Sequence, residues 1–213
     1  MRDPLSIRTG DNEGFNIITI NGTIDAASTA LICDTIIKSR PGPFLVYIAS
    51  GGGGVGSGQS ITDMLNSYDV PVTYISRGYC ASMAAIMPHL GDGLRLTFAS
   101  TTFMYHHTKY NPKGTADTIL EGVALMHKDD EAMNLEVRKA IGLTKREWQK
   151  YNGEDIYLNA KLCMGVGKNG MVDGIILKDY RDGRFIIQTR EGKKEVDIMI
   201  HRRKDLPTLP VIE

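Results

Sequence analysis

A run of five apolar residues followed by a glycine-rich stretch is the feature that most constrains this chain. Phe44-Leu45-Val46-Tyr47-Ile48 has no charged position, so it predicts a β-strand that is buried on both faces, as in a parallel sheet. Residues 49–58 contain six glycines, and an amphipathic helical pattern through Ile61 and Leu65 follows them. A buried strand, a glycine loop and a helix in this order predict an α/β fold.

The rest of the chain repeats this alternation. A strand is predicted at residues 16–20, closed by Asn21-Gly22, and Asp25 is a candidate N-cap for the next helix. Further strands are predicted at 72–75, 94–97 and 103–105, and further helices at 82–87 and 115–141. Strands that alternate with helices need crossover connections, so they predict a mostly parallel sheet.

The last residues have a different character. Alternating apolar residues at 184–189 and 195–200 flank Glu191-Gly192-Lys193, which predicts a β-hairpin. Pro207 and Pro210 follow, and they predict that the end of the chain has no regular structure. We therefore expect a mobile N-terminal segment at 1–14, one main domain at 15–180, and a C-terminal hairpin and tail at 181–213.

Charge and cysteine content exclude several classes of protein. The chain has 25 Lys and Arg against 25 Asp and Glu, without the basic excess of a dedicated nucleic-acid binder. Its three cysteines are scattered and form no CxxC pair, which predicts reduced thiols in a cytoplasmic protein rather than a metal site. We expect no signal peptide and no membrane partner, because the N-terminus has no apolar stretch and no apolar run approaches the roughly 18 residues of a membrane helix.

The glycine run has three interpretations. Gly51, Gly53 and Gly56 fit the dinucleotide pattern G-x-G-x-x-G, but Asp69 precedes the next strand instead of following it. No lysine follows the glycines, which excludes a Walker A loop. Glycines also let backbone N–H groups approach a reacting carbonyl, as in an oxyanion hole. An ordinary turn between strand and helix is the remaining alternative.

Three residues on different segment ends are candidates for nucleophilic catalysis. Ser82 begins a helix of small residues, His106 ends an apolar strand, and Asp155 precedes another apolar segment. His107 points to the opposite face if the strand continues, so the two histidines do not predict a metal site. Each residue alone is ambiguous, and only a shared geometry would make them a catalytic set.

Five motifs make these residues a recognisable set. Each motif corresponds to a family pattern, written in parentheses after it: Ile48-Ala49-Ser50-Gly51-Gly52-Gly53 (I-N-S-P-G-G), Gly78-Tyr79-Cys80-Ala81-Ser82-Met83-Ala84-Ala85 (G-Q-A-A-S-M-G-A), Phe103-Met104-Tyr105-His106 (V-M-I-H), Asp155-Ile156-Tyr157-Leu158-Asn159-Ala160 (D-R-F-L-S-A) and Gly170-Met171-Val172-Asp173 (G-L-V-D). With its motifs in this order, the chain from Ile17 to Ile176 resembles the proteolytic subunits of the Clp protease, within the ClpP/crotonase superfamily.

The resemblance implies a fold and a set of roles. The fold would be an α/β spiral of repeated ββα units, with a protruding handle at about 108–142 whose long helix joins two rings. Ser82 would be the nucleophile, His106 the base and Asp155 the acid that orients it, while Gly53 and Met83 would supply oxyanion N–H groups. The edge Gly53-Gly54-Val55 would pair with an extended peptide. The substrate-binding residues would be Gly52, Gly54, Val55, His107 and Thr108.

The same resemblance implies an assembly. It predicts a serine endopeptidase that cleaves polypeptides inside a homo-oligomeric chamber, with two stacked seven-membered rings. No cofactor is expected in this chain, and ATP would act only through a separate Clp-type AAA+ ATPase as partner.

Departures from the family patterns keep two alternatives open. Gly51 replaces the proline of the glycine motif, and Gly153-Glu154 stands where the family often has an acid-Arg pair between rings. A catalytically silent ring subunit is therefore one alternative. An enoyl-CoA hydratase or isomerase, which shares the ββα spiral, is the other.

Overall fold

The computed structural model describes residues 8–9, 14–111 and 113–213. The strands are β1 (Arg8–Thr9), β2 (Asn16–Ile24), β3 (Phe44–Gly53), β4 (Val72–Ser76), β5 (Tyr79–Ala81), β6 (Leu94–Thr97), β7 (Thr102–Tyr105), β8 (Ile156–Asn159), β9 (Gly174–Asp179), β10 (Arg184–Gln188) and β11 (Lys193–Asp197). The α-helices are α1 (Ala26–Lys38), α2 (Val55–Asn66), α3 (Met83–Ile86), α4 (Ala116–Ile141), α5 (Lys145–Trp148) and α6 (Ala160–Gly165), and 3₁₀ turns cover Met87–His89 and Arg203–Thr208. The mobility predicted for residues 1–14 falls mostly on residues outside the described ranges.

The strands form two sheets in a mixed α/β fold. The larger sheet has the order β1-β2-β3-β4-β6-β9-β10-β11, with parallel pairing from β2 to β9 and antiparallel pairing at both edges. The smaller sheet has the order β5-β7-β8. Since the segments that carry Ser82 and His106 adjoin β5 and β7, the small sheet brings together residues that are distant in sequence.

The apolar pattern explains the packing of the larger sheet. Alternate residues of β3 face opposite sides, and Val46 belongs to a buried cluster with Ile32 of α1 and Leu65 of α2. Leu45 belongs to a second cluster, which includes Phe185 of the C-terminal hairpin. The main parallel strands are thus covered on both faces, as their continuous apolar sequences predict.

Two of the predicted strand ends are wrong, because both strands were predicted to stop before glycines. β2 does not end at Asn21-Gly22 but continues to Ile24, and Gly22, with φ of 85°, lies at a register shift in the pairing with β3. β3 likewise continues through the glycines to Gly53, since Thr23 pairs with Gly52 and Ile24 with Gly53. The first part of the glycine run therefore belongs to strand β3, and its last part belongs to the start of helix α2.

The C-terminal hairpin extends the larger sheet. β10 pairs with β9 on one side and with β11 on the other, so the tail adds two strands to the sheet edge. The expectation of irregular structure at the end of the chain is wrong at Arg203–Thr208, which forms a 3₁₀ turn with Pro207 inside it, and at Ile212, which bridges to Lys193. A 3₁₀ turn tolerates a proline there, because it is short and leaves few N–H groups to satisfy.

Helix α4 is the longest element of the described chain. Its N-cap is Thr115, whose hydroxyl accepts a hydrogen bond from the N–H of Thr118, and it ends at Gly142 in the left-handed conformation (φ 76°). Its buried residues lie in the C-terminal half, from Met133 onward, whereas Leu120 near the start is 70% exposed. No helix among the described residues is both long and apolar enough to cross a membrane.

Candidate active site

Ser82 occupies a strained position between β5 and α3. Its φ of 53° and ψ of −128° lie in a region that non-glycine residues rarely adopt. The N–H of Ser82 donates to the carbonyl oxygen of Met104 in β7 at 2.8 Å, which fixes the turn against the small sheet. Its neighbours Ala81, Ala84 and Ala85 are buried, and their small size leaves space around the hydroxyl.

The glycines of β3 pack directly against this turn. A Cβ on Gly52 would lie 2.8 Å from the Cβ of Ser82 and 3.0 Å from the backbone nitrogen of Met83, so only glycine fits there. A Cβ on Gly53 would instead meet the backbone of Ile24 in β2 at 2.0 Å. Because Gly52 and Met83 are adjacent, this end of β3 lies beside the first turn of α3, where N–H groups lack helical partners.

His106 lies within hydrogen-bonding distance of the serine. Its Nε2 is 2.7 Å from the Oγ of Ser82, a distance at which the hydroxyl can donate to a neutral imidazole. Burial, followed by the positive charge of Lys109, lowers the pKa of His106, whereas the negative charge of Asp155 acts to raise it. The imidazole is therefore held in the neutral form that a general base requires.

Asp155 lies beside His106 but does not bind it directly. Its Oδ1 is 4.0 Å from the Nδ1 of His106, which is too long for a hydrogen bond, and that buried nitrogen has no partner among the described residues. The same Oδ1 is 3.7 Å from the Nζ of Lys109. The side chain of Asp155 is 45% exposed, so water screens both interactions.

The backbone nevertheless brings His106 and Asp155 into register. Tyr105 pairs with Ile156 across the antiparallel β7–β8 ladder, which sets the preceding and following residues opposite each other. The N–H of His107 donates to the carbonyl oxygen of Gly153 at 3.1 Å, just beyond the ladder. The structure thus brings all three predicted catalytic residues together. The distance that remains between His106 and Asp155 depends on the conformations of their side chains.

The predicted substrate-binding residues divide into two groups. An extended edge through Val55 is wrong in extent, because β3 ends at Gly53 and Val55 is the first residue of α2. Gly54 is the N-cap of α2, and its N–H donates to the carbonyl oxygen of Ile24 at 2.8 Å. Gly52 is buried beside Ser82.

On the other side of the site, the two residues after His106 have different environments. His107 is exposed, whereas the hydroxyl of Thr108 donates to the carboxylate of Asp130 in α4. Thr108 therefore links the end of the small sheet to the long helix.

Two residues of the site were not predicted from the sequence. Ser50 accepts a hydrogen bond from the N–H of Gly52 at 3.0 Å and donates to the carbonyl oxygen of Gly22, so it fixes the glycine strand. The serine of the glycine motif was the available signal for this role. The second residue is Lys109, which competes with His106 for Asp155. No sequence pattern connects Lys109 with Asp155, because the two residues are far apart in the chain.

Cys80, next but one to Ser82, is not a rival nucleophile. Its thiol is buried and donates to the carbonyl oxygen of Ile48 at 3.2 Å. Burial raises the pKa of this thiol, so it remains protonated and unreactive. The group with an adjacent base is the Ser82 hydroxyl, and such a pair can activate an oxygen nucleophile for attack on a carbonyl.

Comparison with known proteins identifies the family of the chain. The family model for Clp protease matches residues 14–179. The chain is 31% identical over 172 residues to an ATP-dependent Clp protease proteolytic subunit from Carsonella ruddii (strain PV), covering 77% of this chain and 85% of the relative. A protein of the same description from Leuconostoc citreum (strain KM20) is 26% identical over 169 residues, covering 76% of this chain and 83% of the relative. The chain therefore belongs to the Clp protease family.

Proposed function

We propose that this protein is a serine endopeptidase of a self-compartmentalising protease. The observation that carries the proposal is the 2.7 Å contact between the Oγ of Ser82 and the Nε2 of His106, the pair on which acyl transfer would depend. A serine hydroxyl within hydrogen-bonding distance of a neutral histidine is the pair of nucleophile and base that acyl transfer uses. Membership of the Clp protease family supports the same reaction class.

The mechanism would proceed through an acyl-enzyme. The Ser82 hydroxyl attacks the scissile carbonyl carbon while its proton moves to the Nε2 of His106. His106 then returns that proton to the leaving amine. A water molecule, deprotonated by the same imidazole, attacks the ester carbonyl, and the imidazolium gives this proton to the Oγ of Ser82 as the ester C–O bond breaks. Asp155 would orient the imidazole through Nδ1. The N–H groups of Gly53 and Met83 would stabilise the oxyanion, and the adjacency of β3 and α3 supports this assignment.

The substrate would bind as an added strand. β3 pairs with β4 only as far as Ile48, whereas its pairing with β2 continues to Gly53. One edge of the glycine segment therefore extends beyond β4 and leads directly to Ser82. An extended peptide could pair with this edge, and the exposed Gly51, which has open space where a side chain would lie, would allow close approach. Gly54, Val55, His107 and Thr108 would then contact the flanking residues of the peptide.

We also propose that the chain assembles into two stacked seven-membered rings, with α4 as the main element of the handle on a ββα spiral. Exposed apolar side chains on its N-terminal half, among them Leu120 and Leu125 at 70% and 61%, favour such an interface. The chain has no nucleotide-binding loop of the Walker A type, so a separate Clp-type AAA+ ATPase would deliver folded substrates.

The test is covalent labelling of the full chain with a serine-reactive fluorophosphonate, followed by peptide mapping. We expect one adduct, on Ser82, together with cleavage of unfolded polypeptides and short peptides by the same preparation. A catalytically silent ring subunit is the second candidate, which the open His106–Asp155 distance favours, and it would give rings without label. A hydratase or isomerase would also remain unlabelled but would convert an enoyl thioester.

A further inference from the structure

A basic cavity lies between the C-terminal extension and the part of the chain that matches the family model. It has a volume of about 450 Å³, within the range of small-molecule sites, and shares no lining residue with the candidate active site. One wall comes from the matched part, around Arg95 and residues 168–173, and the other comes from residues 189–207. The extension thus completes a cavity that the matched part alone would leave open.

The lining carries an excess of positive charge. It contains seven Lys and Arg residues against three Asp and Glu, a difference of four (7 − 3). The whole chain has 25 of each, so this excess is local. A concave surface with one sign of charge concentrates ligands of the opposite sign.

Several of these cations have structural roles that account for them. Arg95 is buried and makes two hydrogen bonds from its side chain to the carboxylate of Asp173, at 3.0 and 2.5 Å. Lys194, only 2% exposed, donates to Glu191 and, at 2.6 Å, to the carbonyl oxygen of Leu206. These pairs hold the two walls in place and leave little charge for a ligand.

Two more cations are also occupied. Arg202 donates to Asp69 at 2.9 Å. The guanidinium of Arg190 donates to main-chain carbonyl oxygens at the end of α6, including those of Val166 and Lys168. Carbonyl oxygens satisfy the donors of Arg190 without neutralising its charge, which remains at the cavity wall.

The side chains of three cations in the lining have no hydrogen-bond or ion-pair partner within the described chain. Arg203 is half-buried, and its Nη1 is an enclosed nitrogen without an acceptor. Burial, followed by the charge of Arg95, lowers the pKa of Arg203, whereas the negative charges of Asp173 and Asp92 act to raise it. Lys168 and Lys204 are exposed at the rim. A buried donor without a protein acceptor is rare in native proteins, and it calls for a water molecule, an ion or a ligand as its partner.

We propose that this cavity binds a small molecule that carries phosphate groups, with Arg203 as the inner contact and Lys168 and Lys204 as rim contacts. A phosphate group has three acceptor oxygens that point in different directions, so it can accept from a guanidinium and two ammonium groups at once, whereas a carboxylate has two oxygens in one plane. Asp92 also lines the cavity and opposes the bound anion.

The experiment is calorimetric titration of the full chain with inorganic pyrophosphate at low salt. We expect saturable binding of one pyrophosphate per chain, weaker binding of citrate, and weakening by added salt. Arg203→Gln should lower the affinity at least tenfold, Lys204→Gln should lower it a few-fold, and Asp92→Asn should raise it. Lys161→Gln is the matched control, since it removes an exposed charge outside the lining and should change nothing.

Several outcomes would overturn the proposal. These are the absence of saturable binding, tighter binding of citrate than of pyrophosphate, or the same loss of affinity in the Lys161→Gln control. If Arg203→Gln does not fold, the two rim lysines, Lys168 and Lys204, provide the test. Lys168→Glu combined with Lys204→Glu changes only exposed side chains and should abolish binding while the melting temperature without ligand stays the same. The binding measurement does not depend on peptidase activity, so it tests the cavity independently of the proposed function.

Discussion

The two ring nitrogens of His106 face very different partners. On the Nε2 side, the Oγ of Ser82 lies 2.7 Å away, and the elements that flank both residues are buried in the core. On the Nδ1 side, Asp155 lies 4.0 Å away on a half-exposed segment and has Lys109 as an alternative partner. A single chain therefore positions Ser82 and His106 for their proposed roles as nucleophile and base, whereas Asp155, the proposed acid, needs a shift of about 1 Å to form a hydrogen bond.

Helix α4 is connected to the Asp155 side of the site, where the hydrogen bond to His106 is not formed. The hydroxyl of Thr108 binds Asp130 of α4, and Asp130 accepts a further hydrogen bond from Asn134 at 3.0 Å. Asn134 in turn accepts from the indole N–H of Trp148 at 2.8 Å, and Trp148 packs edge-on against Tyr105, the residue before His106. Contacts that hold α4 in an assembly can therefore act on the His106–Asp155 distance.

Removal of the nucleophile has the largest expected effect. Ser82→Ala should lower kcat/KM for peptide cleavage by about 10⁴-fold or more, because among the described residues Ser82 is the nucleophile that contacts the Nε2 of His106. Ring assembly should be unchanged, since the hydroxyl contributes chemistry and not packing. Ser60→Ala, which alters an exposed serine in α2, is the control. Residual cleavage close to wild type in the Ser82 variant would mean that the closed side of the site is not catalytic.

Disruption of the proposed ring interface comes next in size. Leu120→Asp places a charge on the exposed start of α4 and should dissociate the rings, with a drop in specific activity of roughly a hundredfold if assembly sets the triad geometry. Ile200→Asp, an equally drastic change at an exposed isoleucine outside α4, should leave both properties intact. The measurement is specific activity against protein concentration, together with the mass distribution by sedimentation. Constant activity per subunit across dissociation would show that one chain closes the triad by itself.

The sequence predicted the Ser82–His106 side of the site, where the contact is formed, better than the His106–Asp155 side, where it is not. Ser82 and His106 could be predicted because strand and helix patterns put them at segment ends, and the resemblance to a family supplied their order. Their contact depends on buried strands, whose apolar patterns are strong signals. Asp155 was predicted by the same resemblance, but its distance from His106 depends on exposed side chains, which sequence patterns do not determine.

Glycine was the main source of error in the fold. Gly22 and the run at 51–53 were interpreted as strand ends, yet both lie within β-strands, because neighbouring strands β2 and β3 supply the hydrogen bonds there. Local propensity predicts turns at such positions, and only the tertiary pairing overrides it. The 3₁₀ turn at Arg203–Thr208 was missed for a similar reason, since Lys194 holds it through the carbonyl oxygen of Leu206.

A smaller effect is expected when the acid is altered. In the dissociated chain, as in the Leu120→Asp background, Asp155→Asn should lower kcat by only about tenfold, well short of the roughly 10⁴-fold loss in triads whose acid binds the histidine directly. The reason is that the 4.0 Å separation and the exposure of Asp155 weaken its hold on the imidazole. The control is Glu154→Gln, which alters the exposed acid next to Asp155. Asp173→Asn is unsuitable as a control, because that carboxylate binds Arg95. A 10⁴-fold loss in assembled rings would show that assembly closes the second half of the site.

The smallest effect concerns Lys109 and appears as a change in pH dependence. The positive charge of Lys109 disfavours the imidazolium form, so Lys109→Met should raise the pKa of His106. His106 must be neutral to accept the proton of Ser82, and activity therefore falls as the pH drops through that pKa. The acidic limb of the kcat/KM profile should move to higher pH in the variant, whereas Lys113→Met should leave it in place. Since Lys109 is 73% exposed, high salt should shift the wild-type limb in the same direction. An acidic limb that stays fixed, or that moves to lower pH, would mean that Lys109 does not compete for Asp155 in the working enzyme.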